Sequence, residues 1–245
     1  MTETRSDNPF FTEAREIDGM PGRLAITKIE TVMRINSILR GNIMQLVVLV
    51  DRMKNPAFSL PILDARQPER HDAFLNECER LLHNALSAAK TRVDLLRAFV
   101  RRYVADSTPA IAAEYQARVN AEFVNDPKHA SLMGLRNYML HDSLPVAAGT
   151  ITFGNQGENY LYRLHTAPLL AAPEHFNAAA REWLAGHEDQ IDIVSALRAY
   201  FDDQVAPFDQ WFATTIEEHH RADIKAHAAA AREYNHRWHP SSRID

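Results

Sequence analysis

The residues best suited to chemistry lie close together in the segment 135–141. Asn137 and His141 are four residues apart, so they would share one face of a helix with 3.6 residues per turn. Arg136 lies at the margin of that face, and its long side chain can reach it. An imidazole can take or give a proton, and a planar guanidinium binds phosphate oxygens well. This combination of side chains is suited to phosphodiester chemistry.

The same segment carries apolar residues on two sides. Leu132, Leu135 and Met139 fall on the face opposite the polar pair, and we expect them to pack on a long neighbouring helix. Met133 and Leu140 flank the polar pair itself. A helix that is apolar on two sides usually has a second packing partner.

Spacing alone also fits ordinary structural roles for the triplet. Asn137 would then be a surface residue, Arg136 an ion-pair donor and His141 a helix cap. The pattern Arg136-Asn137-x-x-x-His141, at the end of a proline-terminated helix, resembles the signature of the HEPN superfamily of higher eukaryote and prokaryote nucleotide-binding domains. The stretch 80–94 resembles the polar-studded earlier helix of bacterial HEPN-like proteins. The resemblance covers residues 65–146.

The resemblance implies a metal-independent endoribonuclease that works as a homodimer, with Arg-x-x-x-x-His helices from both subunits forming one cleft. His141 would act as general acid or base on the 2′-hydroxyl or the leaving 5′-oxygen. Arg136 would stabilise the charged phosphorane, and Asn137 would orient the phosphate or the imidazole. Asn84 and Asp94, on the companion helix, are secondary candidates, with a structural hydrogen bond as the alternative role for each.

We therefore expect an RNA-cleaving or nucleotide-binding factor in bacterial stress or defence, of the toxin or abortive-infection type. The expected partners are a second copy of the chain, RNA or a nucleotide, and an antitoxin or regulatory protein. The alternative is a non-catalytic interaction or regulatory protein with the same fold, in which Arg136 and His141 only support the subunit interface. Asp142, directly after the imidazole, departs from the basic surroundings that RNA would favour.

The composition indicates a mainly helical protein that stays in solution. Glycine is scarce, at 8 of 245 residues, and the net charge of −5 gives no general attraction for nucleic acid. The stretch 1–18 has no apolar signal region, and the apolar run 46–50 is far shorter than the ~20 residues of a membrane helix. The one cysteine, Cys78, excludes an internal disulfide and lies on an apolar stripe. We expect a cytoplasmic protein without membrane contact, with Cys78 in the core.

Apolar periodicity predicts a helical bundle with one small β-hairpin. The stretch 24–54 is predicted to form one helix, or two with a break at Gly41. Further helices are predicted over 69–105, 109–123, 127–142, 174–185 and 189–219, and a last one ends near Trp238. Pro207 is expected to kink or split the helix over 189–219. A strand around Val47 is the alternative for part of the first segment. The proline-rich stretch 56–68 is predicted to be a loop, and strands 150–153 and 160–162 form the hairpin.

The predicted domain organisation has three parts. We expect a flexible tail over 1–22, a HEPN-like helical core over 23–146, and the hairpin with additional C-terminal helices over 147–245, packed on the same core. Five histidines near the C-terminus favour a solvated helical surface over a metal site, because neither HExxH nor a cysteine-based pattern accompanies them. They are His219, His220, His227, His236 and His239. We predict no metal and no cofactor.

Overall fold

The computed structural model describes residues 8–154 and 157–239. Helices dominate it, and within these ranges the strands form a small three-stranded sheet, which confirms the predicted mainly α fold with a β insertion. The helices are α1 Pro9–Asp18, α2 Pro21–Asp51, α3 Pro56–Leu63, α4 Pro68–Tyr103, α5 Pro109–Val119, α6 Pro127–His141, α7 Thr166–Leu170, α8 Ala178–Ala185, α9 Ile193–Tyr200, α10 Ala206–His219 and α11 Arg221–Trp238. The strands are β1 Ala147–Gly154, β2 Gly157–His165 and β3 Gln190–Asp192. In the described ranges, no helix has both the length and the apolar character needed to cross a membrane.

The chain divides into two compact units. One combines the chain up to Arg34 with the chain from Phe208 onward, and the other is Ile35–Pro207. The second unit contains the sheet and the Arg136-to-His141 motif. These boundaries coincide with neither of the sequence-based divisions, at residues 22 and 146.

Helix α1 occupies part of the stretch that the sequence predicts to be a flexible tail. The Asn8 side chain caps it by accepting a backbone hydrogen bond at 2.9 Å, and Pro9 takes the first helical position. Glu13 accepts hydrogen bonds from Trp238 Nε1 at 2.8 Å and from Arg237 Nη1 at 2.9 Å. The tail prediction is therefore wrong for α1, because this helix packs on α11, a partner that local composition does not reveal.

The proline-rich stretch forms helix α3 instead of the predicted loop. The Asn55 side chain accepts from the Ala57 backbone N–H at 3.0 Å, and Pro56 holds the first position, where its missing N–H costs no helical bond. The loop prediction is wrong because these two residues start a helix. Helix α2 runs through Gly41 without a break, so the alternative strand around Val47 does not form either.

Helix α4 confirms the strongest predicted helix, and the next two helices also follow prediction. Later elements differ more. The helix predicted over 174–185 begins only at Ala178. The stretch 189–219, predicted to be one helix, instead contains strand β3 followed by helices α9 and α10, which a π-helical turn, Phe201–Val205, separates. Pro207 cannot donate to the carbonyl of Asp203, so the hydrogen-bond ladder changes register just before it.

The hairpin is confirmed, with its turn residues 155 and 156 outside the described ranges. Strand β2 pairs antiparallel with β1, from Ala147↔Leu164 to Gly154↔Gly157, and with β3 on its other edge. Tyr160, Tyr162 and Leu164 alternate along β2 and are all buried. The ring of Phe74, from α4, meets the Tyr160 ring edge-on at 5.5 Å. Strand β3, only three residues long, was not predicted.

Candidate functional site

Helix α6 positions the motif, and its local signals explain where it starts. The Asp126 carboxylate accepts a hydrogen bond from the His129 backbone N–H at 2.6 Å, and Pro127 occupies the first position. The helix ends at His141, one residue before the predicted end. Leu132 and Leu135 are buried as predicted, which directs Asn137 and His141 away from that packed face and leaves Arg136 at its margin.

Within the triplet, the structure brings two residues into contact and leaves the third on its own. Arg136 Nη1 donates to Asn137 Oδ1 at 3.2 Å. The Nε–H of Arg136 is buried and has no acceptor within the described residues. His141 is exposed in the last turn, and no hydrogen bond joins it to Asn137 in this part of the chain.

The second packing partner of α6 lies within the chain itself. Ser131 Oγ donates to the carbonyl of Ala180 in α8 at 3.1 Å. A Cβ atom on Gly134 would lie 2.5 Å from the Phe176 ring, so the segment before α8 approaches the α6 backbone closely at this glycine. The side of α6 that faces α8 is thus filled by this chain.

An exposed apolar surface follows the motif. Leu140 is 41% exposed, and Leu144 and Val146, in the segment that leads into β1, are 55% and 52% exposed. Three large apolar side chains in seven residues therefore face solvent beside His141. Such a run is typical of surfaces that take part in protein contacts.

The two secondary candidates lie on α4 as predicted. Asp94 is exposed and forms an ion pair with Lys90 one turn earlier, with Nζ 2.5 Å from Oδ1. Asn84 is half-buried. Neither side chain hydrogen-bonds to the motif among the residues that the structure describes. The Asp94 carboxylate therefore has the structural role that the sequence left as the alternative.

A cluster that the sequence did not reveal lies where α6 ends. His175 Nε2 is 3.8 Å from Asp142 Oδ2 and 3.7 Å from Glu174 Oε1. One ligand atom from each of these three residues lies within 4.8 Å of the others. Asp142 stood out only as a departure from the HEPN pattern. Glu174 and His175 carried no signal of their own, because packing of α6 on the segment before α8 creates the cluster.

A second polar contact missing from the sequence analysis is partly buried. His129 Nδ1 lies 3.0 Å from the Tyr200 hydroxyl, across 71 positions of sequence. Burial lowers the pKa of His129 to about 4; Asp126 opposes this shift, and Arg92 and Arg97 add to it. His129 is therefore neutral near pH 7, and it joins α6 to α9.

The C-terminal histidines lie on α10 and α11. The rings of His219 and His220 meet edge-on at 4.9 Å, and His220 Nδ1 lies 3.4 Å from Asp223 Oδ2. Over the ranges 8–154 and 157–239, these histidines do not bring three ligand atoms within 4.8 Å of one another. The helix-end cluster is therefore the stronger candidate for a metal centre.

The end of α6 thus combines three chemical capacities. Arg136 offers donors for an anion, His141 offers an exposed imidazole for proton transfer, and Asp142 belongs to a set of groups that bind cations. Comparison with protein-family models, with curated proteins and with solved structures finds no match to this chain.

Proposed function

We propose that this protein is a HEPN-like factor of bacterial stress or defence that binds RNA or a nucleotide and cleaves RNA without a metal. The observation that carries the proposal is the incomplete hydrogen bonding of the Arg136 guanidinium. Its Nη1 is held by Asn137, while its buried Nε–H has no acceptor in the described chain. An unpaired buried donor is unfavourable, and a phosphate oxygen is the acceptor that best matches a guanidinium.

The proposed reaction is a transesterification, in which the neighbouring 2′-oxygen attacks the phosphodiester of RNA. His141 removes the 2′-hydroxyl proton, the oxygen attacks phosphorus, and the bond to the 5′-oxygen breaks. The equivalent imidazole of a second copy gives that oxygen a proton, so the products are a 2′,3′-cyclic phosphate and a 5′-hydroxyl. A positioned acid or base contributes typically about 10²–10⁴-fold to such a step.

Arg136 neutralises the charge that builds on the phosphorane, where a well-placed donor is most effective. The 3.2 Å bond from its Nη1 supports a role for Asn137 in orienting this guanidinium. This role differs from the one that the resemblance implies, in which Asn137 orients the phosphate or the imidazole. Binding of RNA would rest on local groups such as Arg136, because the net charge of −5 gives no general attraction.

The homodimer of this proposal would form next to the motif. Leu140, Leu144 and Val146 are large apolar residues that remain exposed in the single chain. Contact between two copies there would remove this surface from water and bring two His141 side chains into one cleft. The same surface would also accept an antitoxin or regulatory protein.

The test is incubation of the purified protein with RNA in EDTA, comparing wild type with His141→Ala. The matched control is His236→Ala, since His236 is also exposed in the last turn of a helix. We expect wild type and control to cleave alike and His141→Ala to be slower by about 10²–10⁴-fold. Equal cleavage by all three proteins rejects the role of His141.

The second candidate function is a non-catalytic interaction protein, which the exposed apolar residues favour. In that case none of the three proteins cleaves RNA. Sedimentation of wild type and Leu140→Asp then tests the interaction surface. A dimer that Leu140→Asp dissociates, without any cleavage, supports this second candidate, and a monomeric wild type contradicts the proposed homodimer in both functions.

A further inference from the structure

We propose that Asp142, Glu174 and His175 form a binding site for a first-row divalent transition metal ion, here called the helix-end site. It lies where α6 ends and the chain approaches α8. This inference goes beyond the proposed function and does not rest on it, because the ribonuclease reaction uses no metal. It rests on the donor types, their distances, the packing that holds them and the local charge.

The donor atoms are close to the spacing that a metal requires. Ligand atoms about 2.1 Å from a zinc ion in tetrahedral geometry are roughly 3.4 Å apart. His175 Nε2 lies 3.8 Å from Asp142 Oδ2 and 3.7 Å from Glu174 Oε1, and the three ligand atoms all lie within 4.8 Å of one another, so turns of the two exposed carboxylates would complete the geometry. One imidazole with two carboxylates leaves at least one position for water, as in metal sites that take exogenous ligands.

Packing fixes the imidazole before any metal arrives. The His175 side chain is 13% exposed, and its ring meets the Tyr138 ring edge-on at 5.8 Å. Its backbone carbonyl would lie 2.8 Å from a Cβ atom on Gly134, so this part of the chain lies directly on α6. The Asp142 backbone N–H donates to the Tyr138 carbonyl at 3.0 Å, which holds the second ligand at the same helix end. The imidazole and the Asp142 backbone are therefore in place before a metal binds, and the two exposed carboxylate side chains can turn towards it.

The local charge also favours a cation. Asp142 and Glu174 have no lysine or arginine partner within the described residues; their ion-pair contacts there are with His175. The C-terminal end of α6 adds the partial negative charge of a helix dipole. A divalent metal ion would offset this charge and use the imidazole lone pair. The imidazole favours zinc, copper, nickel or iron over magnesium, calcium and manganese, which prefer oxygen ligands.

The test is calorimetric titration of the full chain, cleared of metal, with Zn²⁺, together with the absorption spectrum of added Co²⁺. We expect wild type to bind one Zn²⁺ at this site, and His175→Ala to bind it at least about tenfold more weakly. Asp142→Asn and Glu174→Gln should weaken binding in the same direction. The Co²⁺ ligand-field bands should disappear with His175→Ala.

The matched control is His187→Ala, because His187 adjoins two carboxylates in sequence, Glu188 and Asp189, outside the helix-end site. It should bind Zn²⁺ as wild type does, and far-ultraviolet circular dichroism should show that every variant is folded. No Zn²⁺ binding by wild type, or equal binding by His175→Ala, overturns the proposal. Binding that only His220→Ala removes also overturns it, since the metal would then belong to the C-terminal histidines.

The two proposals fail separately. RNA cleavage is measured in EDTA, where the helix-end site is empty, and metal binding is measured without RNA. Loss of cleavage in His141→Ala with normal Zn²⁺ binding supports the ribonuclease site alone. Zn²⁺ binding by a protein that never cleaves RNA supports the helix-end site alone.

Discussion

A Cβ atom on Gly134 would lie 2.5 Å from Cδ1 of Phe176, so α6 and the segment before α8 meet at a position that fits only glycine. The same missing side chain lets the carbonyl of His175 approach the helix. Gly134 lies two residues before Arg136, and His175 belongs to the helix-end site. One packing contact therefore brings the segment that carries His175 directly onto the helix that carries Arg136.

The first prediction is that Gly134→Ala destabilises the protein, although alanine is the better helix former. Overpacking of a core contact costs about 1–3 kcal/mol, and alanine regains about 1 kcal/mol of helix propensity. Because the backbone carbonyl of His175 cannot move as freely as the Phe176 ring, we expect a net loss of about 1–2 kcal/mol. Urea unfolding at neutral pH measures it.

The control for this prediction is Gly41→Ala. Gly41 lies inside α2, is exposed, and would place its Cβ more than 4 Å from any described atom outside the local helix backbone. Since this substitution changes only the helix propensity, we expect the free energy of unfolding to rise by about 0.5–1 kcal/mol. A Gly134→Ala protein as stable as wild type would show that the two segments are not in contact as described.

The second prediction concerns acid. His129 is held neutral because burial lowers its pKa to about 4, whereas an unfolded histidine titrates near 6.5. Between these two values the unfolded chain binds a proton that the folded chain does not, so stability falls as the pH falls through this window. His129 alone accounts for a loss of up to about 3 kcal/mol. Urea unfolding at a series of pH values between these two pKa values measures how steeply the free energy of unfolding depends on pH.

The free energy of unfolding should depend less steeply on pH in His129→Gln, because glutamine keeps a polar group beside the Tyr200 hydroxyl without a titrating ring. His236→Gln is the matched control, because His236 is exposed and should leave the slope unchanged. Equal slopes for wild type and His129→Gln would mean that the buried imidazole is not neutral in the folded protein.

The third prediction is that the thiol of Cys78 is inert until the chain unfolds. Cys78 is fully buried, and burial, helped by Glu77 and Glu79, raises the pKa of its thiol to about 12. We expect no rapid reaction of the native protein with a disulfide reagent and one equivalent of reaction in denaturant. Ser143→Cys, at an exposed position, should add one rapidly reacting equivalent. Rapid labelling of native wild type would contradict the described core.

Local signals predicted the parts of the fold that depend on neighbouring residues. The apolar periodicity of α4 and the proline at the start of α6 are both readable from the sequence, and both helices form close to their predicted bounds. The burial of Leu132 and Leu135 on one face of α6 was predicted for the same reason. Helices α1 and α3 were missed because their charged or proline-rich compositions outweighed the Asn8 and Asn55 caps.

Contacts between distant segments were beyond local analysis. Asp142 meets His175 across 33 positions, and His129 meets Tyr200 across 71. No spacing rule links such residues, because packing of α6 on its neighbours determines which side chains converge. In hindsight Gly134 was the one local signal, since a glycine inside a helix often marks close approach of another segment. It indicates that a contact exists, but not with which residues.

The last prediction separates a catalytic from a structural role for Arg136. Lysine keeps the charge but lacks the planar fork, and the buried Nε–H it removes has no acceptor in the described chain. Arg136→Lys should therefore change stability by less than about 1 kcal/mol and slow RNA cleavage roughly 10²-fold. Single-turnover cleavage in EDTA and urea unfolding measure the two effects.

Arg80→Lys is the matched control for this substitution, because Arg80 forms an exposed ion pair with Glu77 on α4, which should contribute little to stability or cleavage. The two substitutions make the same chemical change, so any difference between them belongs to the surroundings of Arg136. Arg136→Lys that cleaves at the wild-type rate, or that loses more than about 2 kcal/mol of stability, would assign the guanidinium to the fold. Loss of cleavage with unchanged stability assigns the guanidinium fork, with its Nη1 bond to Asn137, to the reaction and not to the fold.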